Sequence, residues 1–288
     1  MTATRAMLDA YSIEATTKDA AAIGALPQDM PRPAQVFVPY LHEENDDQRI
    51  AACAAIRAAG LEPVPHLSAR RLEGLAELDR LLHDLREQAD VRCVFVIAGD
   101  IATAAGPFND SLSLIETSLF EKHGIENVGI AGHPDDHPEV PDNILWDAML
   151  AKIAALEARG LQTQVVTQFS FDANRVLDWL GELRARGITV PVRIGIPGPT
   201  SVRTLLRYAA RCGVAASASA VAKYGLSLSR LLGNAGPDTF LDQLNAGLDS
   251  VTSGEVRLHL FPFGGFSKVA DWMEQFSRRT SSSTLFAA

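Results

Sequence analysis

The sequence predicts an α/β fold, a single (β/α)8 TIM barrel with extra helices inserted before the last strand. Three observations predict it. Eight short β-rich runs can be counted along the 288 residues. Several are nearly continuous in apolar residues (Val36 to Val38, Cys93 to Gly99, Val128 to Gly132, Val192 to Ile196), which suits strands buried on both faces of a parallel sheet. Helical spacing fills the intervals, and Gly60, Gly160 and Gly187 each close a helix shortly before a strand. The repeated unit is helix, glycine, strand, polar loop, and eight such units make a barrel. A doubly wound open sheet is the runner-up, but no Gly-x-Gly-x-x-Gly follows a strand.

Catalytic residues of such a barrel sit at the C-terminal ends of its strands. Strand one, Tyr11–Thr16, offers Glu14. If Ile13 faces the helices, Glu14 faces the barrel mouth, where partial burial favours a protonated carboxyl group and general acid work. The alternative is a solvated strand-end carboxylate. Strand two, Gln35–Tyr40, ends in Pro39-Tyr40, and strand three, Glu62–Leu67, in His66-Leu67. Leu75, Leu78, Leu81, Leu82 and Leu85 then mark one face of a helix.

Strand four, Cys93–Gly99, ends at Gly99-Asp100. A glycine there lets a flat ligand approach the backbone. Asp100 either binds a ring nitrogen or amide, or caps the next helix. Strand five, Asn127–His133, breaks into a polar loop holding His133 and His137. That four-residue spacing would place two metal ligands on one helix face, with His66 as a third. Pro134 and Pro138 oppose a continuous helix. The other readings are loop histidines bonded to backbone, or imidazoles against a phosphate or aromatic cofactor.

Leu150, Ile153 and Leu156 give the next helix its apolar face. Strand six, Gln162–Phe169, ends in Thr167-Gln168, whose amide can read the edge of an amide-like heterocycle. Val176, Leu177, Leu180 and Leu183 follow at helical spacing, and strand seven is Pro191–Pro197. Strand eight, Glu255–Phe263, carries His259 and Phe261. The stretch between strands seven and eight reads as helices around Val202–Cys212, Ala218–Leu232 and Thr239–Leu248, with no linker that would make it a separate domain. Residues 1–288 are read as one domain whose last ten or so residues, rich in serine, are disordered.

The bulk properties exclude several classes. A net charge of −9 argues against a nucleic-acid partner. Cys53, Cys93 and Cys212 are odd in number and far apart, which fits neither a disulfide framework nor a metal site and suits a reducing cytoplasm. The first residues lack the apolar core of a signal peptide. No run approaches the ~18 apolar residues of a membrane span.

Together the blocks Pro65-His66-Leu67, Gly99-Asp100, His133-Pro-x-x-His137-Pro138-Glu139 and Thr167-Gln168-Phe169-x-Phe171-Asp172 resemble the methylenetetrahydrofolate reductase family, over nearly the whole chain. The resemblance implies a non-covalent FAD across the barrel mouth and reduction of 5,10-methylenetetrahydrofolate to 5-methyltetrahydrofolate, or the reverse oxidation. It implies that Glu14 is the catalytic acid. It places Asp100 near both flavin and folate, and Gln168 and Phe261 on folate. Tyr40, His66, Ala98, Gly99, His133, His137, Asp147 and Lys152 fall at FAD positions.

The chain also departs from the family. Ile-Glu-Ala-Thr-Thr-Lys stands where Phe-x-Phe-Phe-Pro-Pro is usual, and Ala98 replaces an arginine. A lysine pair is reduced to Lys152, and Leu-Asn-Arg becomes Phe263-Gly264-Gly265. Fewer cations face the pyrophosphate and the folate tail, so NADH, NADPH or another donor stays open. A metal-dependent hydrolase or lyase using His66, His133 and His137 is the competing enzyme. A non-catalytic flavin- or folate-binding relative is the third reading, and a homo-oligomer is compatible with each.

Overall fold

In the computed structural model, residues 7, 10–19, 22, 33–212, 214, 234, 235, 237–248 and 254–285 are described. Eight parallel strands close on themselves: β1 (Ser12–Glu14), β2 (Gln35–Val38), β3 (Glu62–Ser68), β4 (Cys93–Ile97), β5 (Asn127–Gly132), β6 (Gln162–Thr167), β7 (Val192–Pro197) and β10 (Val256–Phe261). β1 pairs with both β2 and β10, which is the closure. The strands predicted from sequence are the strands observed. Most end one or two residues early, because the mouth residues leave the ladder to form loops.

The outer layer is α1 (Asp46–Ala58), α2 (Leu75–Ala89), the short α3 (Ser111–Ile115) and α4 (Leu119–Lys122), α5 (Asp142–Ala158) and α6 (Ala173–Ala185). Asn45 and Gln48 form a reciprocal capping box at the start of α1. Gly60, Gly160 and Gly187 all take positive φ, as helix-closing glycines do. Leu78, Leu81, Leu82 and Leu85 of α2 are buried, and Val176, Leu180 and Leu183 of α6 likewise. They join the large cluster between strands and helices, while Phe37, Val64, Phe95 and Val166 form a separate cluster inside the barrel. Below it, Arg193 donates to Gln164 at 2.7 Å and Gln164 donates to Gln35 at 3.0 Å. Strands β6 and β2 are not neighbours, so this network crosses the lumen and plugs its floor.

The insert before the last strand holds α7 (Val202–Arg211) and α8 (Asp238–Gly247), as two of the three predicted helices require. The third, Ala218–Leu232, lies outside the described residues. Thr200–Ser201 (β8) and Asn234–Ala235 (β9) pair antiparallel beside the barrel. After the last strand, α9 runs from Phe266 to Leu285. Its buried Phe266, Val269, Trp272, Met273 and Phe276 recur at helical spacing, and that stripe docks the helix despite the serines that follow. No helix among the described residues is long and apolar enough to cross a membrane.

Candidate active site

Side chains alternate along a strand, so Ser12 and Glu14 share one face and Ile13 takes the other. Ile13 is buried in the cluster under the helices, which turns Ser12 and Glu14 into the lumen. The closure register sets Ser12 opposite His259 of β10. Ser12 Oγ lies 2.9 Å from His259 Nδ1. β3 brings His66 in from the other side. Glu14 Oε1 is then 3.6 Å from Nε2 of His66 and 3.8 Å from Nε2 of His259.

Aromatic rings wall both imidazoles. Phe37 meets His66 edge-on at 6.0 Å and His259 at 4.7 Å. Phe95 packs on His66 at 4.8 Å, and Phe261 on His259 at 4.8 Å. Burial pushes His66 down to about 4, against the pull of Glu14. Burial lowers His259 too, again against Glu14. Both rings are therefore neutral near pH 7. The Glu14 side chain is 20% exposed and opens onto a cavity of about 470 Å3 at the mouth. That volume lies within the usual range for small-molecule sites. Gln168, Phe261, Phe263 and, from α7 and its C-cap, Tyr208, Arg211 and Cys212 line it. Tyr208 stacks on Phe263 with centroids 4.1 Å apart. Gln168 Oε1 accepts a bond from Phe169 N–H, which holds the amide in place.

A second cavity, of about 320 Å3, lies over β4 and β5 and is lined by Ala98, Asp110, His133, His137 and Lys152. Its histidine rings are 5.6 Å apart, and His137 Nδ1 accepts from Glu139 N–H, so backbone bonding accounts for part of the loop. Burial pushes His133 down to about 4, helped by His137 and Lys152. Lys152 is half-buried, and among the described residues no carboxylate lies in ion-pair range of it. Burial lowers its ammonium, with Asp110 opposing from a distance. A desolvated cation without a partner, beside two imidazoles, suits a phosphate-bearing ligand. Gly99, at φ +97°, keeps the adjoining backbone open. The residues present therefore fit a phosphate-bearing cofactor such as FAD.

Other predicted site residues fall elsewhere. Tyr40 lines a third cavity, of about 290 Å3, with Arg49 and Arg71, and both guanidinium groups stack on its ring at 5.0 and 4.6 Å. His66 touches that cavity, but its Nε2 faces Glu14. Asp100 is largely exposed and pairs with Arg71 at 2.6 Å and His42 at 3.3 Å. Desolvation works against it, yet Arg71 and His42 hold its carboxyl below the usual range. Asp100 does not cap the next helix; Asp110 does, accepting from Ser113 N–H. Asp147 is exposed on α5 and lines none of these cavities.

The metal-hydrolase reading is not supported by this arrangement. His66 sits with Glu14 and His259 in the lumen, while His133 and His137 border a different cavity. Among the described residues, no three His, Cys, Asp or Glu side chains are grouped to hold a metal ion. Two residues escaped sequence reasoning. Ser12 joins His259, the strand-eight candidate, in completing the surroundings of Glu14, and the available signal was its inward parity with Glu14 on strand one. Arg71, one turn past β3, had no signal beyond its charge.

A closed parallel barrel with a carboxyl group between two neutral imidazoles at its mouth, and a cavity lined by Lys152, His133 and His137 beside it, defines a barrel protein built to bind small molecules at the strand ends. The particular family is settled by comparison of sequences. The chain belongs to the methylenetetrahydrofolate reductase family, whose sequence model matches residues 32–225, more than half of its length. It is 32% identical over 83 residues to methylenetetrahydrofolate reductase 2 of Saccharomyces cerevisiae. That stretch is 28% of this chain and only 13% of the yeast protein. Among solved structures it is similar to an uncharacterized protein from Clostridium thermocellum that binds two copies of 5-methyl-5,6,7,8-tetrahydrofolic acid. The TM-score is 0.57 at 11% identity, over 88% of this chain and 87% of that one, and this likeness concerns the fold.

Proposed function

We propose that the protein interconverts 5,10-methylenetetrahydrofolate and 5-methyltetrahydrofolate as a flavin-dependent oxidoreductase, in one barrel spanning the chain. The observation that carries this reading is Glu14, a carboxyl group held between His66 and His259 at the floor of the mouth cavity. Family membership and the folate bound by the Clostridium thermocellum protein support it.

In the reductive direction Glu14 gives its proton to the ring nitrogen N10, which releases the bridging carbon as an iminium on N5. The iminium carbon accepts a hydride to become the methyl group. FAD, once reduced by an electron donor, would supply that hydride and return to its oxidised form. Ala98, Gly99, His133, His137 and Lys152 would hold it, with Lys152 toward the phosphates. Gln168 offers a donor and an acceptor to the amide-like edge of the pterin. Phe261 supplies a flat wall. Asp100, Tyr40 and Asp147, which the family resemblance puts on the cofactor or the folate, lie outside both the mouth cavity and the Lys152 cavity and take no part in the proposed steps. The aromatic rings around both histidines exclude water, which strengthens electrostatic interactions at the acid.

The test is a set of anaerobic half-reactions on the flavin-loaded protein. Flavin reduction is followed with NADH, NADPH and 5-methyltetrahydrofolate in turn, and flavin reoxidation with 5,10-methylenetetrahydrofolate. The proposal requires a folate-dependent change in the flavin spectrum. A colourless preparation that also ignores added FAD overturns it.

A further inference from the structure

We infer that the outer face of α7 is a track for an anionic tail, on which Arg211, Arg207 and Arg203 take, in that order, the carboxylates of a folate carrying several γ-linked glutamates. This rests on the reading of the mouth cavity as the folate site, and it adds the class of folate that the site takes.

The charge distribution comes first. The chain has a net charge of −9, yet between Glu182 and Asp238 it holds eight lysines and arginines and no acidic residue. α7 lies inside that stretch. Arg203, Arg207 and Arg211 stand four residues apart on it, and all three are exposed. Residues four apart form one ridge along a helix, with a rise of about 6 Å from each to the next. Among the described residues none of the three is in ion-pair range of a carboxylate. Arg207 lies over the Tyr208 ring at 5.4 Å. Like charges four apart weaken a helix. Arg203 also sits in the first turn, against the helix dipole, with no acidic residue in that turn. A row of like charges that works against its own helix fits a ligand of opposite charge.

The mouth cavity gives the track its starting point. Arg211 lines it beside Tyr208 and Cys212. Among the described residues lining the cavity, Arg211 is the one permanent cation. His42 also lines it, but its ring is engaged by Asp100 and Arg71. Asp19 and Glu43 make other parts of the lining acidic, and Phe263-Gly264-Gly265 after the last strand is uncharged. A carboxylate leaving the cavity is therefore drawn toward α7. Burial raises the Cys212 thiol to about 11 and Glu14 adds to the rise, so the end of α7 is within electrostatic reach of the cavity floor.

The repeat of the tail matches the repeat of the ridge. A γ-linked glutamate advances the chain by five bonds where an ordinary peptide unit advances it by three. Its α-carboxylate therefore recurs about every 6 Å in an extended chain. Ridge and tail share one period, so successive carboxylates meet successive guanidinium groups. Each contact is exposed, which makes it individually weak and sensitive to salt.

The test titrates the full chain, as purified, with 5-methyltetrahydrofolate carrying one, two or three γ-linked glutamates. Calorimetry gives Kd at about 0.05 and 0.5 M salt. Kd is expected to fall about threefold with each added glutamate at low salt, and the gain to vanish at high salt. Arg211→Gln should weaken even the ligand with one glutamate. Arg207→Gln should abolish the gain from the second glutamate, and Arg203→Gln that from the third. Arg207→Lys should restore most of the gain. Equal affinity for the three folates overturns the inference. So does a length dependence that survives replacement of all three arginines by glutamine. A triple variant that loses affinity for NADPH and none for the glutamate chain assigns the ridge to a nucleotide phosphate and overturns it as well. Folate binding that ignores chain length rejects this inference alone. Failure to bind any of the three folates rejects the proposed function, and the inference falls with it.

Discussion

Glu14 and His259 belong to the two strands whose pairing closes the barrel, and Oε1 of one lies 3.8 Å from Nε2 of the other. The acid at the mouth is thus built across the closure seam. If the barrel does not close, its surroundings do not exist.

Glu14→Gln keeps the shape of the side chain and removes its ionisable proton. It should retain flavin, fold as the wild type does and lose turnover by about 10²- to 10⁴-fold. Steady-state kcat beside the flavin absorbance of the same sample checks this. An active Glu14→Gln protein would remove Glu14 from the mechanism.

The buried imidazoles make stability depend on pH. His66 and His133 are pushed down to about 4 in the folded protein, and His259 is lowered as well. Between those values and the unfolded value near 6.5, the unfolded chain binds more protons, so stability rises with pH. Their neutral burial is fully accommodated above about pH 6.5 and works against the fold as pH falls toward 4. Thermal melts from pH 7.5 to 4.5 should therefore show a falling Tm. In His66→Gln the fall should be shallower, whatever the mutation costs at pH 7.5. An unchanged slope would contradict the neutral burial of His66.

Lys152→Met separates a ligand-binding lysine from a structural one. Lys152 is half-buried without a carboxylate partner, so removing the charge relieves desolvation. The ligand-free protein should be as stable as wild type or more so, while FAD affinity falls at least about tenfold. Urea unfolding and flavin titration together report both signs. A destabilised protein with unchanged FAD affinity would assign Lys152 to the fold.

Gly99 has φ +97°, and an added Cβ would sit 3.4 Å from Ser68 Cβ. Gly99→Val should cost about 1–3 kcal/mol from backbone strain alone. If the open backbone serves a flat ligand, flavin content should fall further than stability predicts. Denaturation midpoints and bound flavin per chain decide between these outcomes.

The barrel was legible because its strands are apolar on both faces and its helices are amphipathic, two patterns that local sequence carries. Strand ends were read too far, since Pro39-Tyr40, Ala98-Gly99 and Gln168-Phe169 continue the β-like composition beyond the last ladder bond. Glu14 was legible as an inward strand-end acid. Its partnership with His259 was not, because those residues are 245 positions apart and only closure joins them. Arg71, which pairs with Asp100 and stacks on Tyr40, ends a single 3-10 turn, Ala69–Arg71, too short for its composition to give a direction. The apolar stripe from Phe266 to Phe276 that docks α9 was there to read in the spacing.

The most direct measurement mixes the reduced, FAD-loaded protein with 5,10-methylenetetrahydrofolate in the absence of oxygen and follows the flavin absorbance. Rapid reoxidation with formation of 5-methyltetrahydrofolate is expected in the wild type, and almost none in Glu14→Gln at equal flavin content. Reoxidation that ignores the folate, or proceeds equally fast without the Glu14 carboxyl, would contradict it.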